Sequence, residues 1–399
     1  MRGYAVSHLV SIGRVTTSIS ACVPAGKLST NAGDVIATSI PAPAPARAAA
    51  RLANQAHTRS FTTLMADVRN AGLLGRTRTF YVLVFSGLVL ALGGIATGMV
   101  LLDHSWLQLL MAGALGIVLT QFAFLGHEAS HRQIFASNRA NDRSGRMLAV
   151  GFAGISYSWW MNKHTRHHGN PNRLTKDPDI EVDAVSFTVE DASTKSGLAG
   201  WFTRRQAWFF FPLLLLEGVN LHLLSVKSLL RGGPRSGRRR ELVALVARLG
   251  LFAALLFWIF PVGLAFAFLG VQLAVFGLYM GGIFAPNHMG MPIVPADVKL
   301  DFLSKQVRTS RNIRGGMWMS ALMGGLNHQV EHHLFPSMPR PHLRAARKMV
   351  REHCRALDVP YTETTLAAAY RSVLGHLKVV GLAARDPFDC PAARSMRFG

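Results

Sequence analysis

Four long apolar runs, arranged in two pairs, constrain this chain more than any other feature. Thr79 to Leu102 carries no charged residue, breaks at Asp103-His104-Ser105, and is followed by the apolar run Trp106 to Leu125. Leu242 to Phe260 and Val262 to Phe284 form the second pair, joined at Pro261. Each run is close to the ~20 residues that an α-helix needs to cross a bilayer. A hydrophobic content of 50% and a mean hydropathy of +0.24 agree with a membrane class. Neither turn within a pair holds Lys or Arg. Arg69, Arg76 and Arg78 precede the first pair, and Arg231 to Arg240, with five arginines, precedes the second. The positive-inside rule then puts both turns outside and both open ends in the cytoplasm.

Histidines gather at those open ends. His127-Glu128-Ala129-Ser130-His131 follows the second run, His164-Thr165-Arg166-His167-His168 comes later, and His328-Gln329-Val330-Glu331-His332-His333 comes after the fourth run. Residues four apart share a helix face, so each cluster presents imidazoles together. The clusters hold eight of the chain's 16 histidines. Imidazole suits Fe, Zn and Cu, and eight exceed the needs of one tetrahedral ion. Two ions, or one ion and spare histidines, fit the count. His288 stands four residues past the fourth run, matching the place of His127, and makes a ninth ligand candidate. Asp177, Asp179, Asn287 and Asn327 are expected to take the second ring N–H of ligating histidines. Glu128 and Glu331 are expected to orient the clusters or face solvent. The lone histidines His8, His57, His104, His222, His342, His353 and His376 are read as ordinary surface or core residues. The three cysteines, Cys22, Cys354 and Cys390, lack metal or disulfide spacing, which argues against an iron–sulfur cluster held by this chain.

Residues 207–226 are apolar at first, but Glu217, Asn220 and His222 interrupt them, and a charge in mid-span is costly. If the second and third clusters share one site, an even number of crossings separates them. This segment is therefore expected to be interfacial or re-entrant. The expected fold is an all-α integral membrane protein with four transmembrane helices in two hairpins (about 79–102, 106–125, 242–260 and 262–284) and a cytoplasmic histidine-rich metal-binding cap. Residues 1–60 are expected to be a disordered tail, with Met65 close to an alternative start. Residues 61–350 would form the functional domain and 351–399 a cytoplasmic segment. The net charge of +22 suits anionic lipid or an acidic partner protein. No nucleic-acid reader motif accompanies it, so nucleic acid is not an expected partner. Leu343 to Leu357, with five Arg or Lys, is either a solvated basic helix or one lying on the inner leaflet.

The series HxxxH, HxxHH and HxxxHH resembles the membrane fatty acid desaturase family. So do Trp159-Trp160 ahead of the second cluster, Asp177-Pro178-Asp179 after it, and Asn327 to Pro336 around the third. The likeness covers about residues 60–350 and is closest to bacterial acyl-CoA and acyl-lipid desaturases. The third cluster also resembles that of front-end and linoleoyl-CoA desaturases, which carry Gln in place of its first histidine, where this chain keeps His328. The resemblance implies that His127, His131, His164, His167, His168, His288, His328, His332 and His333 hold two non-haem Fe ions. It further implies that O2 and two electrons introduce a cis double bond into a long-chain fatty acyl substrate (acyl-CoA or acyl-lipid). The cytochrome b5 haem motif His-Pro-Gly-Gly does not occur in the sequence. Electrons from NAD(P)H are thus expected through a separate ferredoxin or flavin/iron–sulfur reductase. The expected location is a bacterial cell membrane, multi-pass, with the histidine clusters and both termini cytoplasmic. A membrane fatty acid or alkane hydroxylase would use nearly the same ligands. A non-catalytic metal transporter fits less well, because transporters place ligands near the midplane of their spans.

Overall fold

In the computed structural model, which describes residues 60–181, 184–231 and 237–384, the apolar runs are long helices. All of these residues belong to one compact unit, Ala50–Gly399. The expected tail lies outside the described residues up to position 59, as do residues 385–399. After a helix over residues 60–70 (α1) come α2 (Arg78–Leu101) and α3 (Gln108–Ser130). The cap elements α4 (Asn138–Arg146), a π-helical segment (Met147–Ala153), α5 (Tyr157–Gly169), α6 (Val189–Thr194) and α7 (Gly197–Arg204) follow. Then come α8 (Gln206–Arg231), α9 (Arg238–Ile259) and α10 (Val262–His288). Among the described residues, five helices, α2, α3, α8, α9 and α10, are long and apolar enough to cross a membrane by length and composition, one more than the sequence implies. The fifth, α8, is a continuous helix of 26 residues over the stretch expected to be interfacial or re-entrant, so the chain does not turn back within it.

The remaining cap is built from α11 (Phe302–Arg308), α12 (Met317–Leu322), α13 (Gln329–Leu334), α14 (Arg340–Ala356) and α15 (Leu366–Gly381). One departure from an all-α fold is a parallel pair, β1 (Arg311–Ile313) with β2 (Thr362–Thr364). The expected boundary at 350/351 falls inside α14, which runs unbroken across it.

Small residues let the long helices approach closely. A Cβ on Gly218 of α8 would collide with the Leu273 carbonyl of α10, and one on Gly277 of α10 with the backbone of Gly218. Gly116 of α3 is closed in the same way by Gln272 of α10. Close approach through small residues is how helices associate where no hydrophobic difference drives them together. Phe122, Phe124, Phe268 and Phe276 fill the α3–α10 core. Gly154 ends the π segment at φ +73°, with the His222 ring where a Cβ would stand, so only glycine fits there. The chain then re-forms a helix at once, with the Ser156 hydroxyl capping the Trp159 amide.

Two polar ties lock the cap to the long helices. Glu241, in the first turn of α9, accepts from Arg146 of α4 and from Ser156 and Ser158 at the start of α5. Glu128 of α3 takes a two-pronged bond from Arg340 of α14, at 2.6 and 2.7 Å, and both side chains are buried. Removing one member of such a pair strands the other charge. Arg340→Ala is expected to cost about 3–5 kcal/mol, seen as a lowered midpoint of thermal unfolding in detergent. An unchanged midpoint would mean that the pair is idle.

Candidate metal centre

The helices deliver the histidines in a sorted way. On α3, His127 and the adjoining His131 are four apart, with ring centroids 4.8 Å from each other. On α5, His164 and His168 share a face, while His167 is turned away by about 100°. On α13, adjacent His332 and His333 diverge by the same angle. The outcome is two groups. His127, His131, His164, His168 and His332 bring one ring nitrogen each to within 4.8 Å of the others; His167, His288 and His333 do the same in a second group. Each His-His pair thus splits between the groups, and the stacked rings of His168 and His333, 4.2 Å apart, join them.

Anchoring bonds orient the second group. His167 Nδ1 lies 3.0 Å from both Asp177 oxygens, His288 Nδ1 lies 2.9 Å from the Thr309 carbonyl, and His333 Nδ1 lies 2.9 Å from Gln306 Oε1. Each acceptor calls for a proton on Nδ1. A neutral imidazole carries only one N–H, so the three Nε2 atoms turn lone pairs toward one another. His167 Nε2 and His288 Nε2 are 3.4 Å apart, and the buried His333 Nε2 has no hydrogen-bond partner. Facing lone pairs repel unless a cation or a donor N–H lies between them. In the first group, His164 Nε2 lies 2.7 Å from His131 Nε2 and 3.1 Å from His127 Nε2, and His332 Nε2 lies 3.1 Å from His168 Nε2. The buried Nδ1 atoms of His127 and His168 have no partner. Donor type and convergence therefore fit one metal ion in each group, and the Nδ1 anchors add to this in the second.

The electrostatics agree. Burial, and then the nearness of neighbouring imidazoles, holds His164, His168, His332 and His333 well below the usual histidine range; burial alone lowers His131 to about 3. These rings stay neutral, the form that ligates. At His167, burial lowers the pKa but Asp179 and Asp177 outweigh it, and the net shift is upward.

Of the expected outer partners, Asp177 holds an imidazole, and Asp179 stands 3.2 Å from His167 while pairing with Lys163. Asn287 instead donates to the Leu326 carbonyl and to Gln329 Oε1, and Asn327 accepts from Ser320, so these bonds go to groups other than an imidazole. Glu128 and Glu331 are buried rather than solvent-facing. Glu331 is bonded to Asn312 and Tyr361, and burial pushes its carboxyl up to about 7 against the lowering effect of those two bonds. Of the lone histidines that are described, none joins either group.

His328 departs from expectation. It sits in the 3-10 turn before α13, at φ −107° and ψ 54°, and belongs to neither group. Its neighbour Gln329 takes the place: its Nε2 lies 2.8 Å from His288 Nε2. Gln329, His332 and His333 are spaced i, i+3 and i+4 on α13, a spacing visible in the sequence. The HxxxH spacing from His328 to His332 hides it, because His328 lies in a turn that is not yet α-helical. A glutamine does stand beside His328, one residue later, and it is Gln329 that faces the second group. Trp160, one of the residues that carry the resemblance, stacks on His164 at 4.4 Å, whereas Gln306 and Thr309 were not legible from spacing.

With that geometry in place, comparison with known proteins is informative. The profile described as fatty acid desaturase matches residues 104–365. The chain is similar to a Delta(8)-fatty-acid desaturase of Helianthus annuus, at 29% identity over 82% of this chain and 74% of the relative. An Acyl-lipid (9-3)-desaturase of Borago officinalis is 29% identical over 69% of this chain and 65% of the relative. A Delta 8-(E)-sphingolipid desaturase of Emericella nidulans is 28% identical over 69% of this chain and 54% of the relative. The match thus spans between about half and three quarters of these relatives' lengths. All three organisms are eukaryotes, which lends the expected bacterial origin no support.

Proposed function

This chain belongs to the fatty acid desaturase family, whose members are oxidoreductases acting on fatty acids, and from that premise we propose that it introduces a cis double bond into a long-chain fatty acyl group at two non-haem iron ions. The observation that carries the reading is the sorting of eight imidazoles into a group of five and a group of three, the second with every Nδ1 anchored. Iron held there would supply the oxidising chemistry, with O2 as oxidant and two electrons from outside. The protein's own part is positional. Asp177, Gln306 and the Thr309 carbonyl fix the rings, burial keeps His288 and His333 neutral, and the enclosing helices exclude water.

The proposed arrangement keeps four crossings. One end of α8 lies with the cap element α15, where Gln206 donates to the Leu377 carbonyl, and the other with the start of α9, where the Leu229 carbonyl accepts from Arg238. The start of α9 is itself tied through Glu241 to α5, the helix of His164. A helix with both ends on the histidine side fits the plane of the membrane. Under the positive-inside rule that side is cytoplasmic. Two relatives bear names that specify lipid-borne chains, acyl-lipid and sphingolipid, so we favour an acyl chain carried on a lipid over an acyl-CoA. Electrons would come from NAD(P)H through a ferredoxin or a flavin/iron–sulfur reductase.

Expression in yeast, with gas chromatography of fatty acids and long-chain bases, tests this reading. A new cis double bond in the lipid fraction and two irons per purified chain are expected. Hydroxy-acids without new double bonds, or active protein free of iron, would overturn it.

A further inference from the structure

The helix that backs the third histidine cluster carries a charge pattern that the chemistry above does not use. Leu343, Ala346, Val350 and Cys354 of α14 are buried in the same core as Val330 and Leu334 of α13. Two of its cations are spoken for: Arg340 by Glu128, and Arg347 by a two-pronged bond to Glu363 at 2.7 Å. Arg344, Lys348, Arg351 and Arg355 are exposed and follow the helical spacing i, i+4, i+7 and i+11, so they form one stripe. Glu352 is the only acidic residue of the helix, and Asp358 lies just beyond it.

The stripe ends at a concavity of about 310 Å³ lined by Arg351, Arg355, Val359, Tyr361 and Glu363. Its floor leads inward. The Tyr361 hydroxyl donates to Glu331 Oε1 at 2.8 Å, and Asn312 bonds both Tyr361 and Glu331. Glu331 directly precedes His332 of the first imidazole group, and His333 of the second follows it. The route from a basic surface to both groups is therefore one tyrosine and one carboxylate long.

We propose that the Arg344–Lys348–Arg351–Arg355 stripe and the Tyr361 concavity are the docking surface for an acidic one-electron carrier protein. The proposal rests on the desaturase reading and names where its electrons arrive. Each double bond removes two hydrogens from the acyl chain. With O2, two electrons and two further protons, the products are the alkene and two waters. The carrier is oxidised by one electron on each of two visits. An anionic membrane is the weaker occupant, because an in-plane helix grips lipid with its apolar face, and the apolar face of α14 is buried against α13. Charge complementarity of this kind sets association rate and salt dependence.

The test uses the full-length protein in neutral-lipid nanodiscs. Binding of two acidic probes, a plant-type ferredoxin and a soluble cytochrome b5 haem domain, is measured by thermophoresis at 50 and 300 mM salt. Lys348→Glu/Arg351→Glu/Arg355→Glu is expected to weaken binding of at least one probe ten-fold or more at low salt and to flatten its salt dependence. A control reversal on the exposed Lys176 and Arg139 should change binding less than two-fold. Dithionite-driven single turnover should be equal in parent and triple variant. Binding that the triple variant leaves unchanged, or absence of binding of either probe to the parent, overturns the proposal. So does a loss matched by the control, or a triple variant impaired equally with dithionite. A triple variant that loses affinity for vesicles of 30% phosphatidylserine while keeping both probes assigns the stripe to the membrane instead. Because binding is read without turnover, a parent that binds the probes but makes no double bond sinks the desaturase reading and not the docking surface.

Discussion

Replacing His333 by alanine should empty the second imidazole group and reduce double-bond formation below detection, with about one iron lost per chain by elemental analysis. Only His167, His288 and His333 make up that group, so one removal leaves two imidazoles. Roughly 10–16 kcal/mol binds a structural zinc through four ligands, which is about 3 kcal/mol per ligand. Iron(II) binds more weakly, and its affinity should still fall on the order of 100-fold. The first group behaves differently. His131→Ala leaves four ring nitrogens, so most of the iron should remain even where activity is lost. The asymmetry separates metal binding from misfolding, since a folding defect would empty both groups together. A His333→Ala protein with its full iron complement and near-parental activity would show that this group is not a metal site.

Much of the scaffold was legible because a bilayer accepts few solutions. A run of about 20 apolar residues bounded by arginines reads as one helix, and α2, α3, α9 and α10 lie where the runs lie. Their ends were less legible. Hydropathy ends with the hydrocarbon, whereas the helices end where their hydrogen bonds do, so α3 runs to Ser130 and α10 to His288. Those extra turns carry His127 and His288. Residues 207–226 were ambiguous because a helix in the membrane plane and one across it share a composition. In the proposed arrangement the partners of its ends decide between the two, and these lie 9 and 171 positions away along the chain. The sorting of the histidines was within reach of the sequence: adjacent residues on a helix diverge by about 100°, so His167-His168 and His332-His333 could each be expected to serve two groups. The anchors were not. Gln306 meets His333 across 27 positions and Thr309 meets His288 across 21, through loops that no periodicity describes.

Gln329 against His328 is the sharpest contrast at the site. Gln329→Ala should lower desaturation on the order of 10–100-fold, the range for outer partners of a metal site, because its amide, held by Asn287 of α10, stands at the open Nε2 face of His288 where an ion would bind. His328→Leu should stay within about two-fold. His328 is buried, burial lowers its pKa to about 4, and its Nδ1 has no hydrogen-bond partner, so a leucine loses no bond at that nitrogen. The physical cause is the backbone. His328 precedes the first α-helical residue, so its side chain leaves the axis in a direction that the four-residue rule does not predict, whereas Gln329 is the first residue to obey it. Fatty acid profiles of cells expressing each variant, normalised to protein in the membrane fraction, decide the matter. A dead His328→Leu beside a fully active Gln329→Ala would restore the histidine to the third cluster and remove the glutamine from it.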